Sequence, residues 1–220
     1  KWTSEGVLFD GVNDYMKATA FTLNQPTTAY AVVKQVTWTT SLRLWDGNTD
    51  STFALLQTSS SGRLFQYVGA VVSGYVTAPI NNYFIVNFTV YGGQSYIQLN
   101  NGAKMNSAAL PMTSAGGFTL GAGGSNNGWS NIEVKEIILR KTKDWPMHEQ
   151  QIYNYLNNKY FAGQAQVLTE NKKSITSSLS IQPNPLYDGN TVAWFDYNDL
   201  TTVLKDASDY VDGGADKTSY

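Results

Sequence analysis

The chain has 220 residues, 42% hydrophobic and 13% aromatic, enough apolar material for one sizeable core and tight for two. Its 15 basic and 17 acidic residues nearly cancel and form no long basic run, so the electrostatic term that drives nucleic-acid binding has little to act on. The absence of cysteine excludes disulfides, thiolate metal sites and cysteine nucleophiles, and no apolar run approaches the roughly 20 residues of a membrane-spanning helix.

The chain opens at Lys1 with no signal-peptide pattern, as expected of a processed product or a piece of something longer. A first strand is expected over 7–9. The turn after it has Gly11 for backbone freedom and Asp10, Asn13 and Asp14 for local hydrogen bonds. Further short strands are expected over 30–36, 42–45, 53–58 and 64–69, separated by Gly/Asn/Ser/Thr clusters such as 46–50 and 59–62. The clearest alternation lies at 83–91, where Phe84, Val86, Phe88 and Val90 share one face and Ile85, Asn87, Thr89 and Tyr91 the other. Gly92 and Gly93 then turn the chain into a strand over 95–99, which Asn101 and Gly102 close, making a hairpin. Two more strands, at 118–121 and 132–140, flank a Gly/Asn/Ser loop over 121–128. Connections this short leave no room for helical crossovers, so the strands pair antiparallel in a sandwich or jelly roll.

The strand at 132–140 runs straight into a helix. Asp144 is placed to cap it, Pro146 sits near its first turn, and Trp145, His148, Ile152, Tyr155, Leu156 and Tyr160 fall at helical spacing. Beyond it, 161–189 is a polar tract ending in QPNP, which reads as a linker. The last 30 or so residues are too few for a core of their own. They nevertheless carry Val192, Trp194, Phe195, Leu200, Val203 and Leu204, which need burial.

Two stretches carry a family resemblance. NIEVKEIILRKTKDWPMHEQQIYNYLNNKY at 131–160 resembles the closing strand and helix of laminin-G-like modules in the concanavalin A-like lectin/glucanase superfamily, and GVLFDGVNDYM at 6–16 resembles a signature near their start. A third, TVAWFDYNDLTT at 191–202, resembles the opening strand of the same module. The resemblance implies an all-β fold, a two-sheet antiparallel jelly-roll sandwich with one short helix near 145–160. The module would span 1–160, a linker 161–190, and an opening-strand segment 191–220, which completes this sandwich or a neighbour's. Without that strand a sheet edge would stand open.

The same sandwich serves lectins, glucanases, adhesion modules and virion parts. The function expected is a non-catalytic binding or structural module of a phage virion or bacterial surface protein, hence extracellular, virion or cell-surface. Its partners would be glycans or neighbouring subunits, a homo-oligomer included. The alternatives are a glycan-cleaving enzyme of the jelly-roll glucanase type and a purely structural decoration domain.

Laminarinase-type glucanases of this fold carry strand acids spaced Glu-x-Asp-x-x-Glu. Here only Glu133 and Glu136 lie close on a strand, and a spacing of three sends them to opposite faces, so they are expected not to flank one glycosidic bond. The single histidine, His148, belongs to the helix surface rather than to a nucleophile–histidine pair. Asp46, Asn48 and Asp50 place oxygens at alternating positions, as calcium loops do, though Ser51 and Gln57 stand where a calcium hand has Gly and Glu. Calcium is the one cofactor this suggests. For a sugar, which stacks on aromatic rings and is read by amides and acids, the candidates are Trp45 with Asp46 and Asn48, then Tyr67, Tyr75, and Trp129 with Asn126 and Asn127. The sequon at Asn87 falls inside a strand and is expected to be idle.

Overall fold

A computed structural model describes residues 1–18, 21–58, 62–69, 71–106, 114–161, 190–196 and 210–212. In chain order the elements are β1 (Val7–Asp10), β2 (Met16–Ala18), β3 (Thr27–Gln35), β4 (Arg43–Asp46), β5 (Ala54–Gln57), β6 (Arg63–Val68), β7 (Val71–Thr77), β8 (Tyr83–Val90) and β9 (Tyr96–Leu99). They continue with β10 (Met105–Asn106), β11 (Phe118–Leu120), β12 (Asn131–Arg140), α1 (Pro146–Tyr160), β13 (Thr191–Asp196) and β14 (Tyr210–Asp212). Two antiparallel sheets result. Sheet A runs β1-β12-β3-β8-β9-β10 with β13 also on β12, and sheet B runs β14-β2-β11-β4-β5-β6-β7.

The expected jelly-roll sandwich is therefore the fold. Its core forms where the inner faces meet. Phe84, Val86, Phe88 and Val90, the face read from alternation, pack with Leu44, Trp45, Phe53, Leu55, Leu64, Phe118 and Leu120 of the opposite sheet. Phe88 is the hub, with Trp45 edge-on at 5.7 Å and Phe53 edge-on at 4.8 Å. Each such ring contributes on the order of 2–3 kcal/mol by leaving water. The inner face is not wholly apolar. Buried Gln66 of β6 spans the gap and donates to the carbonyls of Thr89 and Tyr96 in sheet A, which fixes the register between sheets.

The helix lies on the outer face of sheet A, where Ile152 and Leu156 meet Tyr30, Val32, Ile85 and Ile138. Its start differs from expectation. Trp145 holds the N-cap position with no side-chain cap, because Asp144 is already committed. Both its oxygens take the guanidinium of Arg140, at 2.7 Å each, and one also accepts from the Tyr30 hydroxyl at 2.9 Å. Three donors, two of them cationic, outcompete a lone backbone N–H. Trp145 also leaves the apolar face and stands 75% exposed, whereas Glu149 is drawn under the helix by Lys104 and the Tyr96 hydroxyl.

Two segments share one side of β12. β1 covers only residues 131–134 of its ten-residue length, and β13 pairs with 136–140 on the same side. At the junction Lys135 is an extra residue: Val134 opposes Val33 and Glu136 opposes Val32, so a β-bulge interrupts the alternation. Around the preceding turn the local acids act as expected. Asp10 accepts from the amides of Val12 and Asn13, Asp14 from that of Asp10, and Gly11 sits at φ +78°.

Candidate functional site

Six of the sequence candidates converge on one rim of the sandwich. The β4–β5 loop brings Asp46, Asn48 and Asp50, and the β11–β12 loop brings Asn126, Asn127 and Trp129 against it. Glycine permits the close approach: a Cβ on Gly124 would lie 2.4 Å from the backbone of Thr49, and one on Gly123 2.8 Å from the Asp50 carboxylate. Arg43 clamps the two loops, its guanidinium donating to Asn127 Oδ1 at 3.3 Å and lying 3.4 Å from Asp46 Oδ2.

Within the rim the carboxylates have different tasks. Asp46 is fully buried and accepts from the backbone N–H groups of Gly47, Ser51, Thr52 and Phe53, so it ties its own loop together. Burial pushes its carboxyl up, and the backbone donors and Arg43 pull it back only in part. Asp50 accepts from Ser125 N and Asn127 Nδ2; partial desolvation raises its carboxyl, but those bonds and Arg43 outweigh it and hold it below the usual range. The Lys17 ammonium enters the same junction, bonding the carbonyls of Gly124 at 2.5 Å and Asn48 at 3.3 Å. Of the three calcium-ligand candidates, Asp46 thus has its oxygens engaged, Asn48 gives its backbone carbonyl to Lys17 while its side-chain Oδ1 is buried without a partner among the described residues, and Asp50 is half-buried beneath Ser125 and Asn127. Asn126 is exposed, with φ +58°.

Trp45 does not supply an exposed ring. It is 1% exposed and sandwiched between Phe88 and Phe118, because the irregularity between Arg43 and Trp45 in the β4–β5 register turns both Leu44 and Trp45 into the core. Trp129 is half-buried and bridges Arg43, with its indole N–H unpartnered among the described residues.

From Trp129 a row of side chains continues across the outer face of sheet B. Trp129 bridges Arg43, Arg43 opposes Leu56, Leu56 opposes Phe65, and Phe65 opposes Tyr75. Strand spacing makes this row about 19 Å long. Phe65 and Tyr75 meet edge-on at 5.7 Å, and the Arg63 guanidinium lies 4.2 Å from the Tyr75 ring centre. Tyr67 is half-buried on the same face and Tyr75 is 38% exposed, while α1 lies on the other sheet. Phe65, Leu56 and Arg43 were missed from sequence. Their alternation with buried Leu64, Gln66 and Leu55 was the available signal.

The acid pair is arranged otherwise than its spacing implies. The bulge at Lys135 shifts the parity, so Glu133 and Glu136 both face outward, one beside Lys34 and the other beside Val32. Both carboxylates are engaged. Glu133 accepts from Lys34 and Thr3; burial raises its carboxyl, but these donors and Tyr83 more than compensate and hold it low. Glu136 is fully buried under the helix, taking Lys159 at 3.0 Å, the Tyr160 hydroxyl at 2.6 Å and the Tyr155 hydroxyl at 3.3 Å. His148 sits half-buried in the first turn of α1, and the Asn87 amide is buried in β8, bonded to Thr89 and Tyr96.

By sequence, no protein-family model and no curated protein matches the chain. By structure it is similar to a heptameric SAP-like pentraxin from Limulus polyphemus, at 13% identity and TM-score 0.50, over 70% of this chain and 84% of that one. It is also similar to Trypanosoma rangeli sialidase, at 13% identity and TM-score 0.51 over 72% of this chain, and to the 2,3-difluoro-KDN complex of that enzyme at TM-score 0.54. The match spans only 28% of the sialidase chain. At such identities the likeness concerns the fold alone, a two-sheet antiparallel jelly roll.

Proposed function

We propose that the chain is a non-catalytic binding module that grips a glycan along the outer face of sheet B. One observation carries this reading: the cross-strand row Trp129, Arg43, Leu56, Phe65 and Tyr75, which joins an aromatic surface to a rim of amides and a carboxylate. Pyranose rings stack on such rings, while Asn126, Asn127 and Asp50 are placed to read hydroxyls. Hydrolysis is disfavoured by the engagement of Glu133 and Glu136, since the two-carboxylate mechanism needs both acids open to one glycosidic bond. Display on a virion or cell surface fits a module of this kind.

A glycan array combined with reducing-sugar release tests the reading. Binding without turnover, weakened several-fold by Phe65→Ala and by Tyr75→Ala, is the expected result. Turnover, or affinity untouched by both substitutions, rejects it. A calcium ion at the rim is a separate proposal resting on Asp50; a melting curve that chelator leaves unshifted rejects it.

A further inference from the structure

The second half of the β12 edge is filled by a segment that arrives from far along the chain. β13 makes five cross-strand pairs with residues 136–140, from Glu136 with Asp196 to Arg140 with Thr191. Ala193 and Phe195 pack against the main core, Thr191 accepts from Arg140 at 3.0 Å, and the carbonyl of Asn190 takes the amide of Lys141. β13 thus pairs along its length with the second half of β12. β14 does the same for sheet B, adding to the edge at β2.

The connection is far longer than this seating requires. The helix ends beside Glu136, where Tyr160 bonds its carboxylate, and β13 begins opposite Arg140, four residues away along β12. That gap is on the order of 15 Å. Residues 162–189 lie between, and a chain of that length can extend to roughly 90 Å. A linker this long sets an effective concentration of only about millimolar for its own strand, so a neighbour held at similar local density competes.

We propose that residues 136–140 of β12 form a strand-acceptor site which a second copy of the chain fills with its Thr191–Asp196 segment, linking copies by donor-strand exchange. Backbone hydrogen bonds supply the pairing, and the positions of Ala193 and Phe195 set the register. Crowded display of copies favours the exchanged form; dilution favours self-closure.

Because the chain has no cysteine, introduced ones report cleanly. Leu139 and Ala193 are direct cross-strand partners, close enough for a disulfide. Full-length Leu139→Cys and full-length Ala193→Cys are mixed in denaturant, refolded together and oxidised. The expected result is a disulfide-linked heterodimer whose fraction rises with protein concentration. No heterodimer, while the double variant cross-links within one chain, overturns the proposal, as does failure of both. Light scattering on the unmodified chain refolded at rising concentration avoids the core substitution: dimers or longer species that grow with concentration are expected, and monomer throughout overturns the idea. Oligomers without the cross-link place the contact elsewhere and overturn it equally.

Discussion

Glu136 is a fully buried carboxylate that accepts from Lys159, Tyr160 and Tyr155, and its removal takes an acceptor from each. Because Lys159 is partly exposed and can turn to water, Glu136→Ala should cost about 1–3 kcal/mol rather than the larger loss of a fully buried pair. Denaturant midpoints measure this, and no change in the action of the protein on polysaccharides should accompany it. Acid stability follows from Glu133 and Asp50, both held below their ordinary values in the fold. As pH falls the unfolded chain takes up those protons first, so their contribution is complete above about pH 5 and is lost progressively below it. Glu133→Gln should flatten the fall of melting temperature between about pH 5 and 3; an unchanged slope would place the acid sensitivity elsewhere. The engagement of these acids was beyond sequence reading, since nothing in a spacing of three announces a bulge or says which lysine will arrive from another strand.

At the scale of elements, the two rim loops interlock through glycines. A methyl group on Gly124 would collide with the Thr49–Asp50 backbone, which cannot rotate aside, so Gly124→Ala should destabilise by about 1–3 kcal/mol and loosen Trp129. A red shift in tryptophan emission, together with the stability loss, checks this. Strands with strict alternation, β8 above all, could be read directly because one face is wholly apolar. β2, β7 and β10 could not: three residues, a run around Gly74 and an exposed pair carry no usable period, and pairing partners alone define them. The helix was readable in extent but not in its cap, because Asp144 answers to Arg140 and Tyr30 rather than to local backbone. Trp45 was misplaced for a similar reason, an irregular register that turns two successive residues inward.

For the molecule as a whole, the two outer faces are treated differently. Sheet A is covered by α1, whereas sheet B presents the row from Trp129 to Tyr75. Removing residues 190–220 should uncover half of β12 and the edge at β2, lowering the melting temperature by several degrees for each 2 kcal/mol lost. A melting curve that truncation leaves in place would show those strands to be dispensable.

The extra residue in β12 has a consequence for how the chain tolerates length changes. Lys135 lies at the outer surface, reaching Glu5 and the Tyr83 ring, and looks expendable. It acts like a single inserted letter in a two-letter code. With Lys135 deleted, Val134 and Glu136 would become neighbours opposite Val33 and Val32, so Glu136, Ile138 and Arg140 would still point outward and Ile137 and Leu139 still into the interior. Loss of this residue should therefore cost the strand its local bend and its contacts to Glu5 and Tyr83, but not its phase.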